Sequence, residues 1–143
     1  MSLQLPADVV VRALGPNRIE QDCRVECEAI QPHARYRIRA TFDTQPMAEA
    51  EASDCFEALL MIRRQLEEQG LRLCCAGARR DAWASGMQRD MGQGLTAYIL
   101  SLPRTAKRPP VVEIFEPTDP ELVGTVVEQE ESFRAWSKSP RTD

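Results

Sequence analysis

Between Ile19 and Phe42 the chain alternates apolar and charged residues twice over, with one turn in the middle. Ile19, Cys23, Val25, Cys27 and Ala29 share one phase, and Glu20, Asp22, Arg24, Glu26 and Glu28 share the other. After Gln31-Pro32-His33, Tyr36, Ile38, Ala40 and Phe42 alternate with Arg35, Arg37, Arg39 and Thr41. A period of two on both arms predicts an antiparallel hairpin with one face on a core and one in water. Folding the arms about Pro32 sets Glu26 and Glu28 opposite two of Arg35, Arg37 and Arg39. Exposed cross-strand ion pairs contribute about 0.2–1 kcal/mol each, so their main effect falls on register and on discouraging edge pairing.

The other elements follow from turn and cap signals. Val9-Val10-Val11 predicts a first strand, ended at Gly15-Pro16-Asn17. Residues 44–52 read as a linker. A helix over 53–69 starts at Ser53 or Asp54, with Glu57 spaced for a capping box. Phe56, Leu59, Met61, Ile62 and Leu66 form its apolar stripe, Arg63, Arg64, Glu67 and Glu68 its wet side, and Gly70 its stop. Strands are predicted over Leu71–Ala76, over Leu95–Leu102 with Tyr98, Leu100 and Leu102 in one phase, and over Val111–Glu116. Pro103 to Pro110 is a basic connection carrying Arg104, Lys107 and Arg108. A last helix over 125–138 has Thr125 as N-cap and Glu128 as its partner, with Val126, Gln129, Phe133 and Trp136 near one face.

The expectation is therefore one α+β domain over 1–143, with N-terminal strands in 1–43. It holds an antiparallel sheet of about six strands and two helices, in the order β-β-β-α-β-β-β-α. Its core should draw on Cys23, Val25, Cys27, Tyr36, Ile38, Phe42, Phe56, Leu59, Ile62, Leu66, Leu73, Tyr98, Leu100, Ile114 and Phe133.

Residues 77–94, GARRDAWASGMQRDMGQG, read as a long loop between two buried strands. The stretch holds four of the seven glycines, with Trp83, Met87 and Met91 among them. Loops of that length inside a compact domain are uncommon and are usually functional or disordered, and its apolar content argues against disorder.

Composition narrows the function classes. An apolar share of 43% and a charged share of 28% are those of a soluble globule. No apolar run approaches the ~20 residues of a bilayer span, and MSLQLPADVV lacks the pattern of a secretory signal. A cytoplasmic location without membrane association is expected. Cys23, Cys27, Cys55, Cys74 and Cys75 are odd in number and contain no C-x-x-C, so buried thiols are expected rather than zinc. The net charge of −4 argues against a nucleic-acid partner. Residues 111–143 carry 8 acidic and 3 basic side chains, whereas residues 1–110 are nearly balanced at 14 and 15.

Motifs for catalysis are weak. Position 83 is Trp, so Ser85-Gly86 is not a nucleophile elbow. Gly86 to Gly92 lacks the spacing and lysine of a phosphate loop, and Gly92-Gln93-Gly94 leads into a strand rather than a helix. His33, the sole histidine, falls in a hairpin turn. No catalytic residue, metal or cofactor is expected.

The run Gly77-Ala78-Arg79-Arg80-Asp81, then Ser85-Gly86-Met87-x-Arg89-Asp90-Met91-Gly92-x-Gly94, then Ala97-Tyr98, resembles small bacterial proteins associated with polymorphic toxins. These include toxins delivered by contact or secretion systems such as type VI secretion. The helix Phe56 to Leu66 and the tail from Phe115-Glu116-Pro117 to Trp136 resemble the same group, so the similarity covers residues 52–137. The resemblance implies a cytoplasmic immunity protein, not an enzyme, that neutralises a cognate toxin by covering its active site. Nuclease or NAD-using toxins, ADP-ribosyltransferases included, are the expected targets.

Two surfaces compete for the toxin, the acidic end being the expected contact and the loop its structural neighbour. One is the acidic end, Glu113, Glu116, Asp119, Glu121, Glu128, Glu130 and Glu131, whose carboxylates suit a cleft built for anionic substrate. The other is Trp83, Met87, Arg89, Asp90 and Met91, residue types largely favoured at interface cores. Two alternatives stay open. One is a small-molecule or nucleotide-binding enzyme using Arg79, Arg80, Arg89 and Asp90 of the 77–94 loop, and the other is a chaperone or adaptor for a secreted effector.

Overall fold

A computed structural model describes residues 3–142. Four long strands form an antiparallel meander: β1 (Ala7–Leu14), β2 (Glu20–Gln31), β3 (Arg35–Phe42) and β4 (Gln45–Ala52). The short β5 (Arg72–Leu73) joins the free side of β1, giving the order β4-β3-β2-β1-β5. The predicted alternation decides the faces. Cys23, Val25, Cys27, Tyr36, Ile38, Ala40 and Phe42 are buried under α1 (Cys55–Glu67), and the charged phase faces water. Glu26 lies opposite Arg39 and Glu28 opposite Arg37, within the expected register. Ile19 departs from it: the residue precedes β2 and is 64% exposed.

Residues 45–52 form a strand, not a linker. Alanine and Pro46 weaken its β signal, yet Ala48, Ala50 and Ala52 alternate with Met47, Glu49 and Glu51, and the alanines face inward. Glu49 and Glu51 complete the charged face, 3.1 Å from Arg39 and 2.9 Å from Arg35 respectively. Gln65 of α1 covers this edge strand. Its Oε1 accepts from the backbone N of Glu49 at 3.2 Å, and its Nε2 donates to the Glu49 carbonyl at 3.0 Å.

The second half of the chain makes a smaller sheet, β6 (Ala82–Trp83), β7 (Thr96–Ile99) and β8 (Val111–Glu113), in the order β6-β7-β8. It also makes α2 (Gly86–Met91) and α3 (Val126–Lys138). Among the described residues the architecture is thus α+β, with two antiparallel sheets and three helices rather than one sheet of six strands and two helices.

Both predicted long helices start at the expected caps. Asp54 accepts from the Glu57 backbone N at 2.9 Å, but Glu57 turns its own carboxylate to Arg89 instead of closing the box. Thr125 and Glu128 form the complete capping box of α3. Beyond α1, Gly70 takes φ +77°, the left-handed stop that glycine adopts without strain.

Arg63 corrects the expected wet side of α1. It is 2% exposed, because α3 and the turn at Ala76–Ala78 cover the flank of α1 that the sheet leaves open. Nη1 donates to Gln129 Oε1 and Nη2 to the Gly124 carbonyl at 2.9 Å. Gln129 Nε2 in turn donates to the carbonyls of Gly77 at 2.9 Å and Ala82 at 2.8 Å. Burial pulls the Arg63 pKa down and pushes that of Glu67, 3.9 Å away, up.

The β7 phase is also corrected. Leu95 and Ala97 are the buried pair, whereas Tyr98, Leu100 and Phe133, expected in the core, are only partly covered. They wall a cleft instead.

Candidate functional site

Residues 77–94 hold structure throughout most of their length. The Ala76–Ala78 turn leads to β6 and then α2, whose start carries a capping box between Ser85 and Gln88. The S-x-x-Q spacing at 85–88 was the signal for this helix. At its far end Gly94, φ +74°, lies on the start of α1, and the preceding Gln93 carbonyl accepts from Cys55 N at 2.8 Å.

The arginines here are committed to structure. Arg79 binds both oxygens of Asp81 at 2.8 Å. Arg80 donates to the carbonyls of Val123 at 2.9 Å and Glu121 at 2.7 Å. Arg89 lies 3.2 Å from Glu57 and 3.7 Å from Asp54, with its guanidinium 4.8 Å above the Phe56 ring. Asp90 stays exposed on the other side of α2, beside Met87 and Met91, which are 75% and 82% exposed. One turn apart on the helix, these methionines form an apolar ridge above a base fixed by Arg89.

The acidic end is divided among local tasks. Glu116 accepts from Glu113 N at 2.8 Å, Asp119 from Glu121 N at 3.0 Å, and Glu128 from Thr125 N at 2.8 Å. Glu130 lies 3.5 Å from Arg64. Glu131 is exposed on α3 and takes no such task among the described residues.

The side chains that meet most closely come from distant segments. Trp83 stacks on Phe133 with centroids 4.7 Å apart and planes at 11°, and meets Phe56 edge-on at 5.2 Å. Phe133 continues to Trp136 at 6.4 Å, and the Arg104 guanidinium lies 4.2 Å over Trp136. Each such aromatic pair contributes about 0.5–1.5 kcal/mol beyond its buried area. Trp83, Tyr98, Phe133 and Trp136 line a cavity of about 380 Å³ together with the basic connection, Arg104 to Pro109, and Arg141. Among the described residues no carboxylate lines it. A neighbouring hollow of about 290 Å³ shares Trp83, Phe133 and Trp136, and includes Arg80 and Asp81.

All five cysteines are buried and unbridged, with Cys27 Sγ 3.3 Å from Cys55 Sγ. Burial pushes the Cys23 thiol up to about 12 and that of Cys75 up to about 11, so neither is a ready nucleophile. His33 occupies the β2–β3 turn at φ 64° and is exposed. Among the described residues no group of His, Cys, Asp and Glu is placed to hold a metal, and no helix is long and apolar enough to cross a membrane.

No protein-family model matches this chain, and no curated protein matches it. The cleft was not among the sequence-derived sites. Its signals were present separately, in the three cations between Pro103 and Pro110 and in the face shared by Phe133 and Trp136.

Proposed function

We propose that this chain is a non-catalytic immunity protein that binds a cognate toxin and covers its active site, a nuclease or NAD-using toxin being the class of target. The observation that carries the reading is α2, which presents Met87 and Met91 at 75% and 82% exposure while Arg89 anchors it from behind. A pre-ordered helix with exposed methionines offers apolar contact at little ordering cost, the condition for a strong interface. Between the two candidate surfaces, the geometry supports this one better. Of the acidic end, Glu116 already bonds the Glu113 backbone across a turn, Asp119 and Glu128 serve caps, and Glu130 pairs with Arg64. The enzyme reading built on Arg79, Arg80, Arg89 and Asp90 loses support for a parallel reason, since all three guanidinium groups have structural partners.

An immunity gene is expected beside the gene of its toxin, and the test is co-expression with the toxin encoded there. Protection of the host and co-purification of a stoichiometric complex are expected. Survival without any complex, or a purified chain that itself turns over the toxin's substrate, overturns the proposal.

A further inference from the structure

We infer that the cleft between α3 and the basic connection is a binding site for a nucleoside phosphate, a role separate from the toxin-binding reading and independent of it. Three observations carry this. The first is charge. Nearly all arginines of the meander and of α1 are paired with carboxylates, yet no carboxylate is within ion-pair distance of Arg104, Lys107 or Arg108 among the described residues. These three cations, drawn from five consecutive positions, line a cavity to which no described residue contributes an acidic side chain. In a chain of net charge −4 this is a local excess of positive charge that suits a polyanion. Arginine in particular matches phosphate oxygens through its forked donors.

The second observation is the aromatic part of the lining. Both tryptophans of the chain, with Tyr98 and Phe133, line the same space. Arg104 itself lies over the Trp136 ring and donates to the Ser137 carbonyl at 3.3 Å, so Lys107 and Arg108 are the cations offered to a ligand, and aromatic carbon shares the cavity with them. A phosphate group joined to a planar heterocycle has that polarity, whereas a free phosphate leaves the aromatic wall unused. The third is size. About 380 Å³ falls within the roughly 300–1,000 Å³ of small-molecule sites and suits one nucleotide rather than a folded partner.

Titration of the purified full chain with ATP, GTP, CTP and UTP tests this by calorimetry and by tryptophan emission, because both fluorophores line the cavity. Saturable binding of at least one nucleotide with a change in emission is expected. The matching nucleoside and inorganic phosphate should each bind roughly tenfold or more weakly, since each retains half of the contacts. The double variant Lys107→Glu/Arg108→Glu should lose roughly tenfold or more in affinity, as expected when charged hydrogen bonds are removed, with its melting temperature unchanged. Arg134→Glu, exposed on α3 outside the cleft, should bind as wild type does. The inference is overturned if none of the four nucleotides binds, if the double variant binds undiminished, or if a hexaglutamate peptide binds as tightly as the best nucleotide. The last outcome would make the cleft a protein-docking groove. Loss of toxin protection in the α2 variants leaves the inference intact, so the two readings fail separately.

Discussion

The Arg63 guanidinium donates to the side-chain oxygen of Gln129 in the interior, the buried member of three ties between α1 and α3, the others being Arg64 to Glu130 and the Val126 backbone N to Glu67. Gln129 passes the connection on to the Gly77 and Ala82 carbonyls, so the two buried side chains hold the first part of the 77–94 segment in place. Arg63→Ala strands Gln129 Oε1 and the Gly124 carbonyl without donors. At about 1–3 kcal/mol for each buried polar group left unpaired, urea denaturation should show a loss of about 3 kcal/mol or more. Gln129→Ala should be comparably costly. Because the two share one network, the double variant should lose at least about 0.5 kcal/mol less than the sum of the single losses. Simple additivity would mean that the contact does not couple the helices.

Gly77 gives a second test of the same junction. A Cβ placed there would lie 2.7 Å from Leu59 Cδ2 and 2.9 Å from Ile114 Cβ. Gly77→Ala should therefore destabilise by about 1–3 kcal/mol through overpacking. Leu59→Ala, at a residue 1% exposed, should destabilise by about 2–5 kcal/mol through the cavity it leaves. Combined, the two should cost less than their sum, because the added methyl enters space that Leu59 vacated. The Ile114 contact keeps that rescue incomplete. Thermal melts of the three variants decide it.

These contacts also mark where local sequence stops being informative. The alternation through Val25 and Ile38 carries its own register, and Asp54, Thr125 and Gly70 mark helix ends through short-range rules, so those elements were legible. Ala48, Ala50 and Ala52 follow the same alternation, but alanine is too weak a β former to distinguish a strand from a linker. Arg63 looks wet by helical phase and is dry because α3, more than sixty residues later, closes over it. The cleft is of the same kind. Arg104, Lys107 and Arg108 are visible as a charge cluster, and Trp83, Phe133 and Trp136 as scattered aromatics, but only the tertiary fold brings them together.

Acid stability should depend on two glutamates acting in opposite directions. The Thr125 backbone N–H that Glu128 accepts holds its carboxyl below the ordinary value of 4.5. Its contribution is complete above that value and is lost as pH falls through the lower folded pKa. Burial instead raises the Glu67 carboxyl. Its proton-linked contribution is present below the ordinary value and lost as pH rises through the folded pKa, so acidification from neutrality relieves a buried charge. Melting temperatures measured from neutral pH down to about pH 3 should thus fall less steeply for Glu128→Gln than for wild type. Glu67 accepts from the Val126 backbone N at 3.0 Å, and for Glu67→Gln, which keeps that acceptor but removes the relief, they should fall more steeply. Parallel curves for all three proteins would rule out both contributions.

The proposed interface is separable from the acidic end by choosing substitutions that leave the fold intact. Met87 and Met91 are exposed and Arg89 anchors α2 independently of them, so Met87→Asp/Met91→Asp should leave the melting temperature within about 1–2 °C of wild type while removing toxin binding and host protection. Reversing Glu128, Glu130 and Glu131 together is a poorer probe. Glu128 caps α3 and Glu130 pairs with Arg64, so that triple variant should also lose stability. Glu131→Lys changes an exposed charge alone and is expected to protect as wild type does. Protection that survives the methionine pair but is lost in Glu131→Lys would move the interface to the acidic face of α3 and remove α2 from the proposal.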